Sequence, residues 1–171
     1  MSVGTDVDET LSITAEGYEQ RCRELDALRI EARRELSERV REARQDGDLA
    51  GNPALQDVLE EQALLERRIA LLEAQLAAVE IVEPAADGSA GIGSVVRVRE
   101  ADGETFELEL VGPLESDVST GRVSIGTPVG QALVGRRAGA RVEARTPQGP
   151  LGLEVVSVRA RGAGAEGAVR R

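Results

Sequence analysis

The chain of 171 residues has no histidine, no lysine and no tryptophan, so all 21 of its basic residues are arginine. Without histidine or lysine it cannot form a Ser-His-Asp triad, a histidine metal site, a Schiff base or a P-loop lysine contact. Its single cysteine excludes an internal disulfide and a thiolate zinc site. The remaining chemistry is that of carboxylates, hydroxyls, arginines and backbone amides, which favours a binding or helper protein with no catalytic residues of its own.

The net charge and the length of the apolar runs further restrict the class of protein. The formal net charge of −10 argues against broad non-specific DNA binding, which depends on neutralising phosphates. This negative charge is compatible with a partner that has a basic channel or groove. The apolar runs are too short to span a bilayer, and no secretory signal is present. We therefore expect a cytoplasmic protein without a membrane partner.

The first half of the chain has the periodicity of two long amphipathic helices. After a flexible leader over residues 1–13, Thr14 is a plausible N-cap. The apolar residues that follow recur at steps of three and four: Tyr18, Cys22, Leu25, Leu28, Ala32, Leu36, Val40 and Ala43. A second apolar stripe runs from Leu55 to Val79 with a/d spacing. Residues 14–83 therefore predict an antiparallel coiled-coil hairpin, about 45 Å long, with a protruding turn.

After Gly93 the apolar period becomes two, which is typical of strands. Five segments carry this pattern: SVVRVRE, TFELELVG, RVSIG, RVEART and LGLEVVSVR. Asp102-Gly103 predicts a hairpin turn, and Pro128 with Gly135 brackets a short helix. Phe106 is expected in the core. This pattern predicts a small mixed β domain over residues 92–159, behind a linker. A flexible tail is expected over residues 160–171. The whole chain is therefore predicted to have an α+β fold.

The turn between the two predicted helices is acidic, reading QDGDLAGNP over residues 45–53. For Asp46 and Asp48 the ordinary interpretation is loop chemistry, because Asp and Gly tolerate turn geometry. Arg41 and Arg44 precede the turn and are typical of a solvated helix surface. Residues 127–128, Thr-Pro, are typical of a helix start.

Four segments resemble the Gre transcript-cleavage and elongation factors of bacterial RNA polymerase, in the family's own order. They are TAEGYEQRCRELDAL (14–28), REARQDGDL (41–49), EEQALLERRIALLEAQL (60–76) and VSIGTPVGQALVGRRAGARVEARTPQGPLGLEVVSV (123–158). The resemblance implies that the hairpin of a monomer enters the polymerase secondary channel, while an FKBP-like second domain docks at its rim through Thr127 and Pro128. It also makes Arg41 and Arg44 candidate contacts of the nascent RNA or the channel wall.

The turn departs from the family's tip pattern at Gly51, and the Ala-Glu-Tyr that follows in the family is altered to Pro53-Ala54-Leu55. Cleavage-competent members carry Gly-Asp-Leu-x-Glu-Asn at the hairpin tip, and the two acids help to hold a second magnesium ion. Asp48, Leu49 and Asn52 match, but Gly51 stands where the glutamate belongs. Because magnesium is bound through few protein oxygens, one missing carboxylate removes a large share of its protein ligands. Asp48 could share magnesium with the polymerase, and the chain has no cofactor of its own.

The expected outcome is a polymerase-binding regulator whose tip reaches the active centre through Asp46, Asp48, Leu49 and Asn52, with weak or no cleavage stimulation. Asp46 is near enough in sequence to replace the missing acid, so an authentic cleavage factor is one alternative. An FKBP-like chaperone or prolyl isomerase is another, although such pockets are aromatic and this half has only Phe106. A structural coiled coil that dimerises is a third, and it predicts a dimer in sedimentation.

Overall fold

The computed structural model describes residues 11–45 and 52–161. These residues divide into two compact units. One unit combines the chain up to Gly17 with the chain from Val79 onward, and the other spans Tyr18–Ala78. Below, the first is called the sheet unit and the second the helical unit.

The helical hairpin has two arms. The first arm consists of helix α1 (Ala15–Ala27), a π turn (Leu28–Ala32) and helix α2 (Arg33–Gln45), and the second is helix α3 (Pro53–Ala78). Leu25, Ile69 and Leu72 form the buried centre of the helical unit. The apolar positions predicted along the first arm are all buried or half-buried, which confirms the predicted face. Within residues 11–45 and 52–161, no helix combines the length and apolarity needed to cross a bilayer.

Ion pairs between the arms establish their direction. Three arginines of the first arm each contact a glutamate of the second: Arg29 with Glu73 at 2.6 Å, Arg33 with Glu66 at 2.5 Å, and Arg39 with Glu61 at 2.5 Å. The glutamate numbers fall as the arginine numbers rise, so the arms run antiparallel, as predicted.

The ends of the hairpin differ from the sequence-based boundaries. Helix α3 ends at Ala78, before the predicted end at residue 83. Strand β2 (Glu80–Ile81) follows and pairs in parallel with strand β1 (Ser12–Ile13), which the sequence assigned to the leader. Ile13 is fully buried, and its carbonyl accepts a hydrogen bond from the amide of Val82 at 2.9 Å. Two-residue strands are too short to leave a periodic signal.

The sheet unit centres on a mixed five-stranded sheet. Its strands are β3 (Ser94–Glu100), β4 (Thr105–Val111), β5 (Arg122–Ser124), β6 (Arg141–Thr146) and β7 (Gly149–Ala160). They lie in the order β5-β4-β3-β7-β6. Strands β4 and β5 are parallel, and the other neighbours are antiparallel. All five predicted segments form strands, so the α+β class is confirmed.

Two local predictions in the sheet unit are also confirmed. Gly103 has a φ of 92° and its amide donates to the carbonyl of Glu100 at 3.0 Å, which forms the turn between β3 and β4. Helix α4 (Pro128–Leu133) begins at the predicted proline. Gly135, just past its end, has a φ of 75°, which glycine adopts without strain.

One apolar cluster fills the sheet unit. Its buried members are Ala90, Val96, Val98, Leu110, Leu133, Leu153 and Val155. Phe106 packs against this cluster and is half-buried. The core therefore joins the central strands to α4, and the predicted core role of Phe106 is confirmed.

Candidate functional site

Asn52 joins the two arms of the hairpin at the base of their turn. Its Nδ2 donates a hydrogen bond to the carbonyl oxygen of Ala43, in the last turn of α2, at 2.9 Å. Its Oδ1 accepts a hydrogen bond from the amide of Leu55 at 3.3 Å, which is an N-cap interaction. Pro53 follows as the first residue of α3, where a missing N–H leaves no helical bond unmade. A single side chain thus caps α3 and ties it to α2.

The structure describes only the two ends of the turn. Asp46, Asp48, Leu49 and Gly51 lie outside the described residues. Asn52 is therefore the one predicted tip residue that the structure places, and it is half-buried. Within residues 11–45 and 52–161, no group of three or more carboxylates or thiols is arranged to hold a metal ion. The shared magnesium at Asp48 stays a prediction.

Three exposed arginines line the arm that leads to the turn. Arg41 and Arg44 are exposed and form no ion pair with another described residue, whereas Arg39 is paired with Glu61. Arg34 is likewise exposed and unpaired among the described residues, and it lies seven positions before Arg41. Residues three and seven apart share a helix face. We call Arg34, Arg41 and Arg44 the arginine stripe; sequence analysis missed Arg34, although its spacing was a usable signal.

The paired arginines, by contrast, lower the pKa of carboxyl groups along the hairpin. Hydrogen bonds from Arg39 lower the pKa of Glu61, and those from Arg33 lower the pKa of Glu66. Both pairs have two hydrogen bonds from one guanidinium to the two carboxylate oxygens, the geometry with the greatest directional specificity. These side chains are exposed, so each pair adds little stability but helps to fix how the arms align.

Thr127 and Pro128 start helix α4. The Thr127 hydroxyl accepts a hydrogen bond from the amide of Gly130 at 3.1 Å and donates one to the carbonyl of Ser124 at 2.7 Å. Thr127 is thus an N-cap, in agreement with the ordinary interpretation of this motif. The hydroxyl is committed to these bonds, whereas the ring of Pro128 is exposed. A docking role for the two residues stays a prediction.

Glu115 in the sheet unit is a buried charged residue, only 4% exposed, that no sequence pattern singles out. Its carboxylate accepts hydrogen bonds from the amide of Thr14 at 2.9 Å and from the Thr14 hydroxyl at 2.5 Å. The Thr14 hydroxyl in turn accepts a bond from the amide of Gly17 at 3.0 Å, which confirms Thr14 as an N-cap. No local pattern indicates Glu115, because Thr14 lies 101 positions away.

Arginines balance the charge of this buried carboxylate. Arg122 donates to Glu115 at 3.0 Å and lies 3.7 Å from Glu109. Arg161 pairs with Glu109 and, at 3.0 Å, with Glu16 in the first turn of α1. A buried carboxylate needs such partners, since an unpaired one would be strongly destabilising. The network anchors the first turn of α1 to the sheet within the same unit.

Comparison with known proteins places both parts of the chain in one family. Residues 11–81 match the family model described as "Transcription elongation factor, N-terminal". Residues 85–160 match the model described as "Transcription elongation factor, GreA/GreB, C-term".

Individual relatives agree with the family models. The chain is 37% identical over 150 residues to transcription elongation factor GreA of Syntrophobacter fumaroxidans, covering 86% of this chain and 96% of that protein. It is 38% identical over 153 residues to GreA of Thermomicrobium roseum, covering 88% and 97%. The solved structure of GreA factor homolog 1 (Gfh1) of Thermus thermophilus matches with a TM-score of 0.40 and 30% identity, covering 88% and 99%. By these sequence matches, the chain belongs to the GreA/GreB family of transcription elongation factors.

Proposed function

We propose that this chain binds bacterial RNA polymerase and regulates elongation by inserting its helical hairpin into the secondary channel, with weak or no stimulation of transcript cleavage. The observation that carries the second half of the proposal is Gly51, at the position where cleavage-competent members have a glutamate. Glycine offers no side-chain oxygen. Magnesium keeps several waters and few protein ligands, so a tip with Asp48 alone would bind a shared ion weakly.

The length and support of the hairpin favour delivery of its tip into a deep site. The first arm runs from Ala15 to Gln45, which at about 1.5 Å per residue is roughly 45 Å. Its buried centre and its ion pairs to α3 hold the two arms together. Phosphoryl chemistry at a metal site depends on ångström-scale placement, which a paired helical rod can provide.

The arginine stripe favours an anionic surface alongside the hairpin. Three guanidinium groups on one face, none of them ion-paired with another residue of 11–45 or 52–161, would contact the nascent RNA backbone or an acidic part of the channel wall. The chain as a whole has a net charge of −10, so this attraction is local and does not extend to nucleic acid in general. In the same arrangement the exposed Pro128, beside Thr127, would meet the channel rim.

Authentic cleavage stimulation is the alternative within the same family. Two observations favour it: Asp48 is retained at the tip, and the two GreA relatives named above are 37% and 38% identical to this chain. Asp46 would then have to supply the second carboxylate from the other side of Gly47. The two functions share the same partner and differ in the amount of RNA cleaved.

The proposal is tested with purified bacterial RNA polymerase on stalled elongation complexes. We expect little RNA cleavage with this chain alone, and a fall in GreA-stimulated cleavage as the chain is added in excess. Ile69→Asp, which places a charge in the buried centre of the hairpin, should abolish this competition. Its matched control is Leu71→Asp on the same helix, where the side chain is 61% exposed.

Two results would contradict the proposal in different ways. Strong cleavage by the wild-type chain, lost in Asp48→Ala, would establish the alternative function. Absence of both competition and direct binding to polymerase would reject the partner itself, and with it both functions.

A further inference from the structure

We infer that the outer face of the first arm binds a protein surface of the polymerase and not RNA. That surface presents acidic groups to the arginine stripe, basic groups to a neighbouring row of glutamates, and an apolar contact to Ile30. The inference rests on the proposed function, because it names the kind of polymerase surface that the stripe meets. It also narrows the sequence-based expectation that Arg41 and Arg44 contact either the nascent RNA or the channel wall.

A row of four exposed glutamates runs beside the arginine stripe. Its members recur at steps of four and three along the first arm: Glu31, Glu35, Glu38 and Glu42. We call these four residues the glutamate row. None of them forms an ion pair with another residue of 11–45 or 52–161. The outer face of this arm therefore carries two rows of opposite charge that the described part of α3 does not neutralise.

The two rows are neighbours on the helix surface. Arg34 lies three positions after Glu31 and four before Glu38, which are the separations at which side chains of one helix meet. At about 1.5 Å per residue, each row is roughly 15 Å long. Ion pairs between exposed side chains of one helix are weak, so the charges of a partner can replace them. The face thus offers a partner two long rows, one of each sign.

The glutamate row argues against RNA as the ligand of this face. A helix with its side chains is about 10–12 Å across, and the Debye length at physiological salt is about 8 Å. Carboxylates of the glutamate row would therefore repel a phosphate backbone that lay on the arginine stripe. Three positive and four negative charges give the two rows a sum of −1. Neutralisation of phosphates, which drives binding to nucleic acid, is correspondingly weak here.

The uncharged residues of this face agree with a protein partner. Ile30 is 69% exposed and lies in the π turn, directly before Glu31 and four positions before Arg34. A single exposed isoleucine is ordinary, but this one stands at the start of both charged rows, and π turns are frequent at functional sites. By contrast, residues 27–45 contain no aromatic side chain, and aromatic rings are what single-stranded RNA stacks on.

A second copy of the chain fits the two rows less well. In a two-fold pair of antiparallel helices each row faces its own counterpart, so arginine meets arginine and glutamate meets glutamate. Like charges that face each other across an interface weaken binding. Only a parallel pair of hairpins would match the charges, and sedimentation detects such a pair. The complementary surface is therefore assigned to the polymerase.

The test uses two double charge reversals in the full chain. Arg34→Glu/Arg41→Glu reverses the arginine stripe, and Glu31→Arg/Glu38→Arg reverses the glutamate row. All four side chains are exposed and lie outside the ion pairs that join the arms. Circular dichroism of each variant verifies that its helicity equals that of the wild type.

Matched controls make the same changes of charge elsewhere. Arg97→Glu/Arg145→Glu is the control for the stripe, and Glu60→Arg/Glu143→Arg is the control for the row. These four residues are exposed and have no ion pair within residues 11–45 and 52–161. The first readout is the dissociation constant for polymerase core enzyme without nucleic acid, measured by surface plasmon resonance. The second is the concentration giving half-maximal competition against GreA on stalled elongation complexes.

Both reversals should raise the dissociation constant and the half-maximal concentration about tenfold, because like charges then face each other across the interface. The sign decides between the ligands: contact with RNA predicts that Glu31→Arg/Glu38→Arg tightens binding to elongation complexes, since positive charge is added. Ile30→Ser should weaken binding about fivefold through lost apolar contact. Both controls should match the wild type.

Four results would overturn the inference, each in a different way. Tighter binding of the glutamate-row variant, with a loss in the stripe variant only when RNA is present, would assign the face to RNA. Wild-type behaviour of both reversals would show that neither row is in contact. A dimer of the wild type that the same reversals dissociate would assign the rows to a second copy. A wild-type chain that neither binds core enzyme nor competes with GreA would reject the proposed function, and the inference with it.

Discussion

At the scale of single residues, close contact between a glycine and a buried carboxylate determines how the first helix begins. Thr14 and Gly17 frame the first turn of α1, and Glu115 fills the space beside Gly17. A Cβ atom on Gly17 would lie 1.9 Å from Oε1 of Glu115. The Thr-x-x-Gly pattern at residues 14–17 therefore has a physical cause: threonine binds the carboxylate, and glycine leaves room for it.

The first prediction follows from that contact. Gly17→Ala should lower the free energy of unfolding by about 1–3 kcal/mol, the usual cost of overpacking a filled site. The carboxylate cannot move aside without losing its bonds to Thr14 and Arg122. The measurement is urea unfolding followed by circular dichroism. Gly152→Ala is the matched control, because an added Cβ there meets nothing within 4 Å; equal stability of the two variants would refute the steric account.

At the scale of elements, the first arm contains a feature that its sequence does not reveal. The π turn Leu28–Ala32 separates α1 from α2. The apolar residues before and after it, from Leu25 through Leu36, still recur at steps of three and four. The hydrophobic pattern therefore predicts the buried face correctly but does not reveal the π turn, which adds a residue to one turn of the helix.

The second prediction concerns the buried centre of the hairpin. Ile69 is 2% exposed and packs in one cluster with Leu25 and Leu72. Ile69→Ala should lower the free energy of unfolding of the helical unit by about 2–5 kcal/mol, through lost burial and a cavity. Leu71→Ala, at an exposed site on the same helix, should change it by no more than about 0.5 kcal/mol. Urea titration followed by helicity measures both, and similar losses would show that the arms pack on a different face.

The third prediction concerns pH and the ion pairs between the arms. The pKa values of Glu61 and Glu66 are lowered in the folded chain by Arg39 and Arg33. In the unfolded chain both carboxyls have the ordinary glutamate pKa of about 4.3. A lowered folded pKa means that the pairs stabilise the hairpin above that pH, and that this contribution is lost as the pH falls through the folded pKa.

The measurement is the unfolding temperature at about pH 7 and about pH 3. On acidification the unfolding temperature of the wild type should fall further than that of the double variant Glu61→Gln/Glu66→Gln, because the variant already lacks both ion pairs. Glu60→Gln, at an exposed neighbour that pairs with no described residue, should behave as the wild type. An identical pH dependence in the wild type and the double variant would show that the pairs contribute nothing.

At the scale of the whole molecule, sequence periodicity predicted the elements that depend on neighbouring residues. It missed the strand pairing that depends on residues far apart in the chain. The five strands, the turn at Gly103 and the start of α4 at Pro128 all depend on local patterns. The pairing of Ser12–Ile13 with Glu80–Ile81 does not, since it joins residues far apart in the chain. The tip is a separate case, because only the resemblance to the Gre family implied a role for its acids, and these acids lie outside the described residues.

The fourth prediction is that the chain is a monomer. The two arms of one chain already bury each other's apolar faces around Ile69, so a second copy is not needed to cover them. Sedimentation equilibrium should give the mass of one chain, and helicity should not change with concentration. A dimer whose helicity rises with concentration would instead support an intermolecular coiled coil.

The most direct measurement of the central claim, that the tip lacks one carboxylate, is RNA cleavage by stalled polymerase complexes with Gly51→Glu. We expect cleavage at least about tenfold above the wild type, since a second carboxylate completes the oxygen ligands of a shared ion. Ala54→Glu adds the same charge on the exposed first turn of α3 and should give no gain. Strong cleavage by the wild type, or no gain from Gly51→Glu in a variant that still competes with GreA, would contradict the account.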